Sequence, residues 1–181
     1  MISLFDCVAT LAEVMGQRLR QPEIVNILIP LLNTKWTGLD DMDKKLLPLF
    51  ECFENVIHAI GEEFIQPYVV QIFERCTRIL KSILQTVRAE PKEGWVLTEA
   101  FFLRATELIS VILLTMGTEK SSELIHHENN LLLSLMVEFL GENNLMARQT
   151  VLGLFGDSQE RIVDPRQVFL AELIRHASLN L

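Results

Sequence analysis

The sequence lacks the features that mark membrane, secreted and metal-binding proteins. It has three cysteines, Cys7, Cys52 and Cys76, and they form no C-x-x-C pair. An odd number of scattered thiols indicates a reducing intracellular compartment rather than a disulfide scaffold or a zinc site. The longest apolar runs, such as 111–114 and 131–133, are far shorter than the roughly 20 residues of a membrane span. Asp6 interrupts the first apolar stretch, so no signal peptide and no membrane contact are expected.

Basic residues are also scarce. The chain has 16 lysines and arginines against 24 aspartates and glutamates, which gives a formal net charge of −8. An acidic surface repels phosphates and attracts basic partners. Nucleic acid is therefore not expected as a partner.

Strand patterns are almost absent, and apolar residues recur at helical spacing nearly throughout. The pattern predicts an all-α fold of eight helices separated by short turns, with a longer loop at 89–94. On the first helix, Leu4, Val8, Leu11 and Met15 form the predicted core stripe. The predicted helices are 2–15, 22–38, 40–61, 67–88, 98–116, 119–140, 145–155 and 165–176.

A motif recurs along the chain. Leu4-Phe5-Asp6-Cys7 precedes Gly16, and Leu49-Phe50-Glu51-Cys52 precedes Gly61 at the same distance, 45 residues later. A degenerate third copy places Glu107 before Gly117. A period near 45 residues is typical of HEAT-type helix pairs, whereas a simple bundle repeats no motif at this spacing. The sequence thus predicts an alpha-solenoid of antiparallel helix pairs with an ARM-like superhelix.

The repeat divides the chain into a series of predicted units. We expect one solenoid segment over 1–181, whose two ends lack the polar capping repeats that close such arrays. Its predicted parts are a single inner helix (1–20), three helix pairs (21–62, 63–118 and 119–158) and a partial repeat (159–181).

The recurring acidic position is the main functional signal. Stacked helices lie roughly 10 Å apart, so Asp6, Glu51 and Glu107 would line up along one surface, and we call these three residues the acidic ladder. An extended peptide advances about 3.3 Å per residue. A basic side chain at about every third residue would then meet successive carboxylates. The competing interpretation is that these are ordinary solvated carboxylates.

No catalytic or metal-binding pattern accompanies the ladder. Cys7 and Cys52 lack a neighbouring base and are expected to pack between helices. His126 and His127 diverge by about 100° on a helix, so they are expected to be surface histidines rather than metal ligands. Trp36 is expected to pack over a turn, with a partner hot spot as the alternative. We expect no enzyme activity, no cofactor and no metal.

The chain resembles the transportins, in the importin-beta superfamily, and specifically a segment of their C-terminal half. The matching stretches run in order along most of the chain. They are 4–6, 11–16, 22–23, 35–36, 43–44, 49–52, 66–68, 75–76, 148–149 and 153–157.

The resemblance implies a nuclear import receptor segment, found in cytoplasm and nucleus, that binds cargo proteins through basic, extended nuclear localisation signals. It implies that the signal contacts acidic residues on a concave face. Regions that resemble the Ran-GTP site of the family are not matched, so Ran-GTP is expected only through such other regions, and nucleoporins are a further partner class. The implied signal-binding residues are Asp6, Glu13, Glu51, Glu107 and Asp157.

Two other hypotheses stay open. A non-catalytic HEAT scaffold of the phosphatase-subunit kind would join folded partners through Trp36 and the inter-helix turns. A truncated product without an independent function would self-associate through apolar faces at its ends.

Overall fold

The computed structural model describes residues 4–158, which form eight α-helices joined by short turns. A 3-10 helix (Gly16–Arg20) follows the first of them, and no strand occurs in this part of the chain. None of the helices within 4–158 is both long enough and apolar enough to cross a membrane. The helices are α1 (Leu4–Met15), α2 (Pro22–Gly38), α3 (Leu46–Ile60), α4 (Glu62–Ala89), α5 (Pro91–Thr115), α6 (Thr118–Ile125), α7 (His127–Gly141) and α8 (Leu145–Ser158).

The helices form two layers. In one layer α1 packs on α3, α3 on α5 and α5 on α8; in the other, α2 contacts α4 and α4 contacts α7. Neighbours in the chain, such as α4 and α5 or α7 and α8, pack across the layers. Each helix pair therefore buries its apolar stripe against the next pair, as in a solenoid. The predicted all-α, HEAT-type fold is confirmed.

Aromatic side chains hold the two layers together. The fully buried Trp36 of α2 meets the rings of Phe50 and Phe53 of α3 edge-on, with centroids 5.1 and 5.2 Å apart. Further along, Phe102 of α5 and Phe139 of α7 lie 4.8 Å apart. Edge-to-face pairs of this kind add to the free energy gained from burial of the rings. One apolar core therefore runs along the stack between the layers.

The predicted loop at 89–94 is wrong. Helix α4 ends at Ala89 and α5 begins at Pro91, a first helical position where the missing amide of proline costs nothing. At Gly94, an added Cβ would lie 2.9 Å from the Cα of Val87. Only glycine allows α5 to approach α4 so closely at this turn, and the fifth helix accordingly starts well before residue 98.

The predicted sixth helix, 119–140, is also wrong, because it is broken into α6 and α7. Just after the break, Glu128, Asn129 and Asn130 have φ angles of 48°, 56° and 64°. Left-handed backbone is unfavourable for residues with a side chain, although asparagine tolerates it best. No glycine or proline in the sequence announces this break.

The apolar stripe on α1 differs from the prediction. Leu4 and Leu11 are 72% and 54% exposed, whereas Ala9 and Ala12 are buried. Phe5 and Val8 complete the buried face, which packs against the core. The helix is therefore rotated by less than half a turn from the predicted orientation, so that small residues meet α3.

The remaining boundaries differ only at helix ends. The third helix begins at Leu46 rather than 40, the fourth at Glu62 rather than 67, and the last described helix extends to Ser158. The predicted helix 165–176 and partial repeat 159–181 lie outside the described residues. The repeat boundaries at 1–20, 21–62, 63–118 and 119–158 stay a prediction.

Candidate functional site

The second and third members of the acidic ladder lie on adjacent helices and meet at one arginine. Arg104 of α5 places Nη2 3.0 Å from Oε2 of Glu51 on α3 and Nη1 3.1 Å from Oε2 of Glu107 on its own helix. Both carboxylate side chains remain 50% exposed. The repeat therefore brings these two positions together on one solvent-accessible face, as the sequence predicts.

Asp6 lies on α1, which packs against α3. The pKa of the Cys52 thiol is raised to about 12, first by burial and then by the negative charges of Asp6 and Glu51. Both carboxylates must be near this thiol for their charges to act on it. Since Cys52 follows Glu51 on α3, the α1 and α3 members of the ladder share one region.

Asp157 joins the same face from α8. The hydroxyl of Ser110 on α5 donates a hydrogen bond to Oδ2 of Asp157. A cavity of about 320 Å³ opens between α3, α5 and α8 beside this contact. Its walls combine carboxylates, hydroxyls and apolar side chains: Glu54, Thr106, Glu107, Ser110, Val111, Thr150, Gly153, Leu154 and Asp157.

Glu54 also lies in the wall of this cavity, although sequence reasoning did not assign it to the site. Its side chain is 15% exposed, and Oε1 is buried without a hydrogen bond from any described residue. Burial, followed by the negative charge of Glu107 and then that of Glu51, raises the pKa of its carboxyl to about 7 against the opposing charge of Arg104. The carboxyl thus exchanges its proton near neutral pH. Its spacing of three from Glu51 was visible in the sequence, but its burial was not.

Glu13 stands apart from the other implied site residues. It is exposed on α1, about two turns beyond Asp6, and no contact within residues 4–158 joins it to the rest. Five side chains therefore form the candidate surface: Asp6, Glu51, Glu54, Glu107 and Asp157.

The three cysteines differ in exposure, and the expected packing of Cys7 between helices is wrong. Burial raises the pKa of both Cys52 and Cys76, so their thiols stay protonated at neutral pH. Cys7 is exposed on α1. A row of carboxylates beside a cavity can bind cations.

One further cluster combines histidine and carboxylates. Ligand atoms of Glu74, His127 and Glu128 lie within 4.8 Å of one another, and His127 Nε2 is 2.8 Å from Oε1 of Glu74. His126 takes no part in it, as expected from the divergence of adjacent residues. The short contact joins α4 to α7 as an ion pair or hydrogen bond, which accounts for the proximity of these groups.

Trp36 is a core residue and not a surface hot spot. It is fully buried, and the guanidinium of Arg75 lies 4.9 Å above its ring. Arg75 is held in turn by Asp41, with Nε 2.8 Å from Oδ1. The expected packing role of Trp36 at the turn is confirmed.

No protein-family model matches the chain. Curated proteins do match it: Transportin-1 of Mus musculus is 31% identical over 160 residues, which cover 87% of this chain and 17% of that protein. Transportin-1 of Oryza sativa subsp. japonica is 30% identical over 155 residues, covering 85% and 17%. Importin subunit beta-2 of Saccharomyces cerevisiae is 26% identical over 162 residues, covering 87% and 17%.

The chain thus spans about a sixth of the length of these curated relatives. Over that span both the order of the sequence and the two-layered stack of helices are those of a HEAT-type solenoid. The chain is therefore a transportin homologue of the importin-beta superfamily, a superfamily of nuclear import receptors, and corresponds to one segment of its longer relatives.

Proposed function

We propose that this chain binds the basic, extended nuclear localisation signal of a cargo protein along the acidic ladder, Glu54 and Asp157. The observation that carries the proposal is the convergence of carboxylates from adjacent helices on one accessible face, with Glu51 and Glu107 both half exposed. The role is non-catalytic. Its mechanism is charge complementarity combined with apolar contact.

The spacing of the helices suits an extended peptide. Helices of one layer are separated by roughly 10 Å, and an extended chain covers that distance in about three residues. A peptide crossing α1, α3 and α5 would then present one lysine or arginine to each helix. Because charges are screened beyond about 8 Å at physiological salt, several such contacts are needed together.

The cavity between α3, α5 and α8 supplies the apolar part of the mechanism. Glu107 and Asp157 lie at its walls together with Val111 and Leu154. Lysine and arginine have aliphatic stems that bury well while the charged end meets a carboxylate. One basic side chain of the peptide is therefore expected to enter here.

Direct binding of a fluorescent Lys- and Arg-rich peptide tests the proposal, measured by anisotropy over a salt series. Asp6→Lys combined with Glu51→Lys is expected to weaken binding at least about tenfold at low salt, because two attractions become repulsions. The salt dependence should flatten at the same time.

The matched control is Glu23→Lys combined with Glu63→Lys. These two residues are exposed on α2 and α4, in the other layer, and their replacement changes the net charge equally. Equal weakening by both double variants would show that only overall charge matters. Unchanged affinity in the ladder variant would remove the ladder as the site and favour the scaffold hypothesis instead.

Localisation in cytoplasm and nucleus, contact with nucleoporins, and any Ran-GTP regulation through other regions follow from the same proposal. They belong to the activity of whole import receptors, of which this chain matches a part.

A further inference from the structure

The acidic face contains a cation of its own. Arg104 contacts three carboxylates from two helices: Glu51 at 3.0 Å, Glu107 at 3.1 Å and Glu54 at 3.5 Å. These are the acceptors that a lysine or arginine of a bound peptide would need. The side chain of Arg104 is 35% exposed, so the cluster is reachable from solvent.

We propose that Arg104 competes with the basic side chains of the partner for the carboxylates of the acidic ladder. Arg104 occupies the middle of the ladder until a bound peptide displaces it. The inference rests on the proposed function of this face. It identifies Arg104 as a residue that limits affinity and determines where along the ladder a basic side chain binds.

The guanidinium competes effectively because of its geometry. Its planar fork donates from Nη2 to Glu51 and from Nη1 to Glu107, and arginine forms such bridges without a change of protonation. The positive charge of Arg104 also makes the electrostatic potential at Glu54 less negative. It lowers the pKa of Glu54, which burial and the charge of Glu107 raise. A peptide cation approaching this point meets carboxylates that are already partly neutralised.

Displacement is nevertheless feasible. Ion pairs between partly exposed side chains are weak, since water screens them. A cavity of about 400 Å³ lies beside Arg104, lined by Leu47, Ala100, Leu103 and Glu107, which leaves the side chain room to move. Among the residues that the structure describes, no arginine lines the neighbouring cavity at Glu107 and Asp157. The first basic side chain should therefore bind at α5 and α8, and the next should compete with Arg104.

The test compares peptide affinity between the unmodified chain and Arg104→Gln, with Arg104→Met as a second neutral variant that keeps the apolar stem. Both are expected to bind the Lys- and Arg-rich peptide about threefold to tenfold more tightly at low salt, with a steeper salt dependence. Arg104→Lys keeps the positive charge but loses the fork that bridges Glu51 and Glu107, so its affinity should lie between that of the unmodified chain and those of the neutral variants. Circular dichroism melting checks that each variant is folded.

Arg88→Gln is the matched control. Arg88 also bridges two carboxylates, Glu138 and Glu142 at 2.7 and 2.9 Å, but between α4 and α7 in the other layer. The replacement Arg88→Gln removes the same charge as Arg104→Gln and should leave peptide affinity nearly unchanged. Equal tightening by this control would overturn the inference, because overall charge would then explain the effect.

The outcomes separate the two proposals. Binding by the unmodified chain without tightening in either neutral variant would overturn the role of Arg104 alone. Binding only by the neutral variants would support both, with Arg104 as a complete block. Absence of binding by all variants would overturn both.

Discussion

Two arginine–carboxylate clusters of this chain have opposite compositions. In the first, Asp41 alone accepts from two arginines, with Oδ1 2.8 Å from Nε of Arg75 and Oδ2 2.6 Å from Nε of Arg78. In the second, Arg104 alone serves three carboxylates. Arg75 is almost fully buried, whereas Arg104 is 35% exposed. The two clusters use the same chemistry and differ in the burial of their central arginine: Arg75 is enclosed by the protein, whereas Arg104 can be reached from solvent.

The Asp41 cluster, in which only Arg75 is buried, joins α4 to the turn between α2 and α3. Arg75 of α4 also donates to the carbonyl of Leu39 and lies over the ring of Trp36. Hydrogen bonds from Arg78, followed by its charge and that of Arg75, lower the pKa of Asp41 despite partial burial. The contacts of Arg75 with Asp41, Leu39 and Trp36 enclose its guanidinium, and the residue is only 5% exposed.

The largest effect on stability is expected from Asp41→Asn. The change leaves the buried guanidinium of Arg75 without a counter-charge, which costs about 3 kcal/mol of unfolding free energy. Urea denaturation at pH 7 measures it, with exposed Asp40→Asn as the control, expected to change stability by less than about 0.5 kcal/mol.

The pH dependence of that effect has a defined sign. The folded pKa of Asp41 is lowered below 3.8, so its contribution is complete above the unfolded value and is lost as pH falls through the lower folded value. The difference between Asp41→Asn and the unmodified chain should shrink in strong acid. A difference that does not change with pH would contradict the assignment.

Glu54→Gln is expected to change the free energy of unfolding less than Asp41→Asn does, and to raise it rather than lower it. The folded pKa of Glu54, about 7, exceeds the ordinary glutamate value of 4.5. Between these two pH values the folded chain therefore binds more protons than the unfolded chain. Stability therefore falls as pH rises from about 4.5 to 7. At pH 8 the neutral glutamine should stabilise the chain by about 1–2 kcal/mol after allowance for solvent screening.

Denaturation at two pH values checks this prediction. At pH 5 the carboxyl of Glu54 is protonated in the folded chain, and Glu54→Gln should change stability little. Exposed Glu13→Gln is the control and should change stability little at either pH. Equal stabilisation by Glu54→Gln at pH 5 and pH 8 would show that its carboxyl is not the titrating group.

The smallest effect on stability is expected from Arg104→Gln. Its ion pairs are partly exposed, so their loss should cost less than about 1 kcal/mol. The same replacement at the buried Arg75, Arg75→Gln, should lower the free energy of unfolding by about 2–3 kcal/mol. Thermal melts of the two variants in parallel test the comparison directly, and equal losses would refute it.

Much of the fold could be predicted from local sequence. Gly16, Gly38 and Gly61 lie where α1, α2 and α3 end, because glycine readily adopts the backbone that closes a helix. The break at Glu128 could not be predicted in this way, since no glycine or proline occurs there. The three consecutive left-handed residues lie in the first turn of α7. Packing of α7 against α4, α6 and α8 stabilises this backbone.

The candidate site shows the same division. The 45-residue repeat predicts that Asp6 and Glu51 occupy equivalent positions, and the structure places both near Cys52. The spacing of Arg104 and Glu107 was also readable as a helical pair. That Arg104 reaches across to Glu51 was not readable, because the two residues are far apart in the chain and meet only when α3 and α5 stack.

The helical class, the period of the repeat and the acidic character of one position in each repeat can be predicted from the sequence, because these depend on residue spacing and helix geometry. Which face of α1 is buried, how deeply Glu54 lies and which carboxylates Arg104 contacts depend on the packing of the helices. Those properties depend on distances between helices and on exclusion of water, and stacked neighbours alone create both.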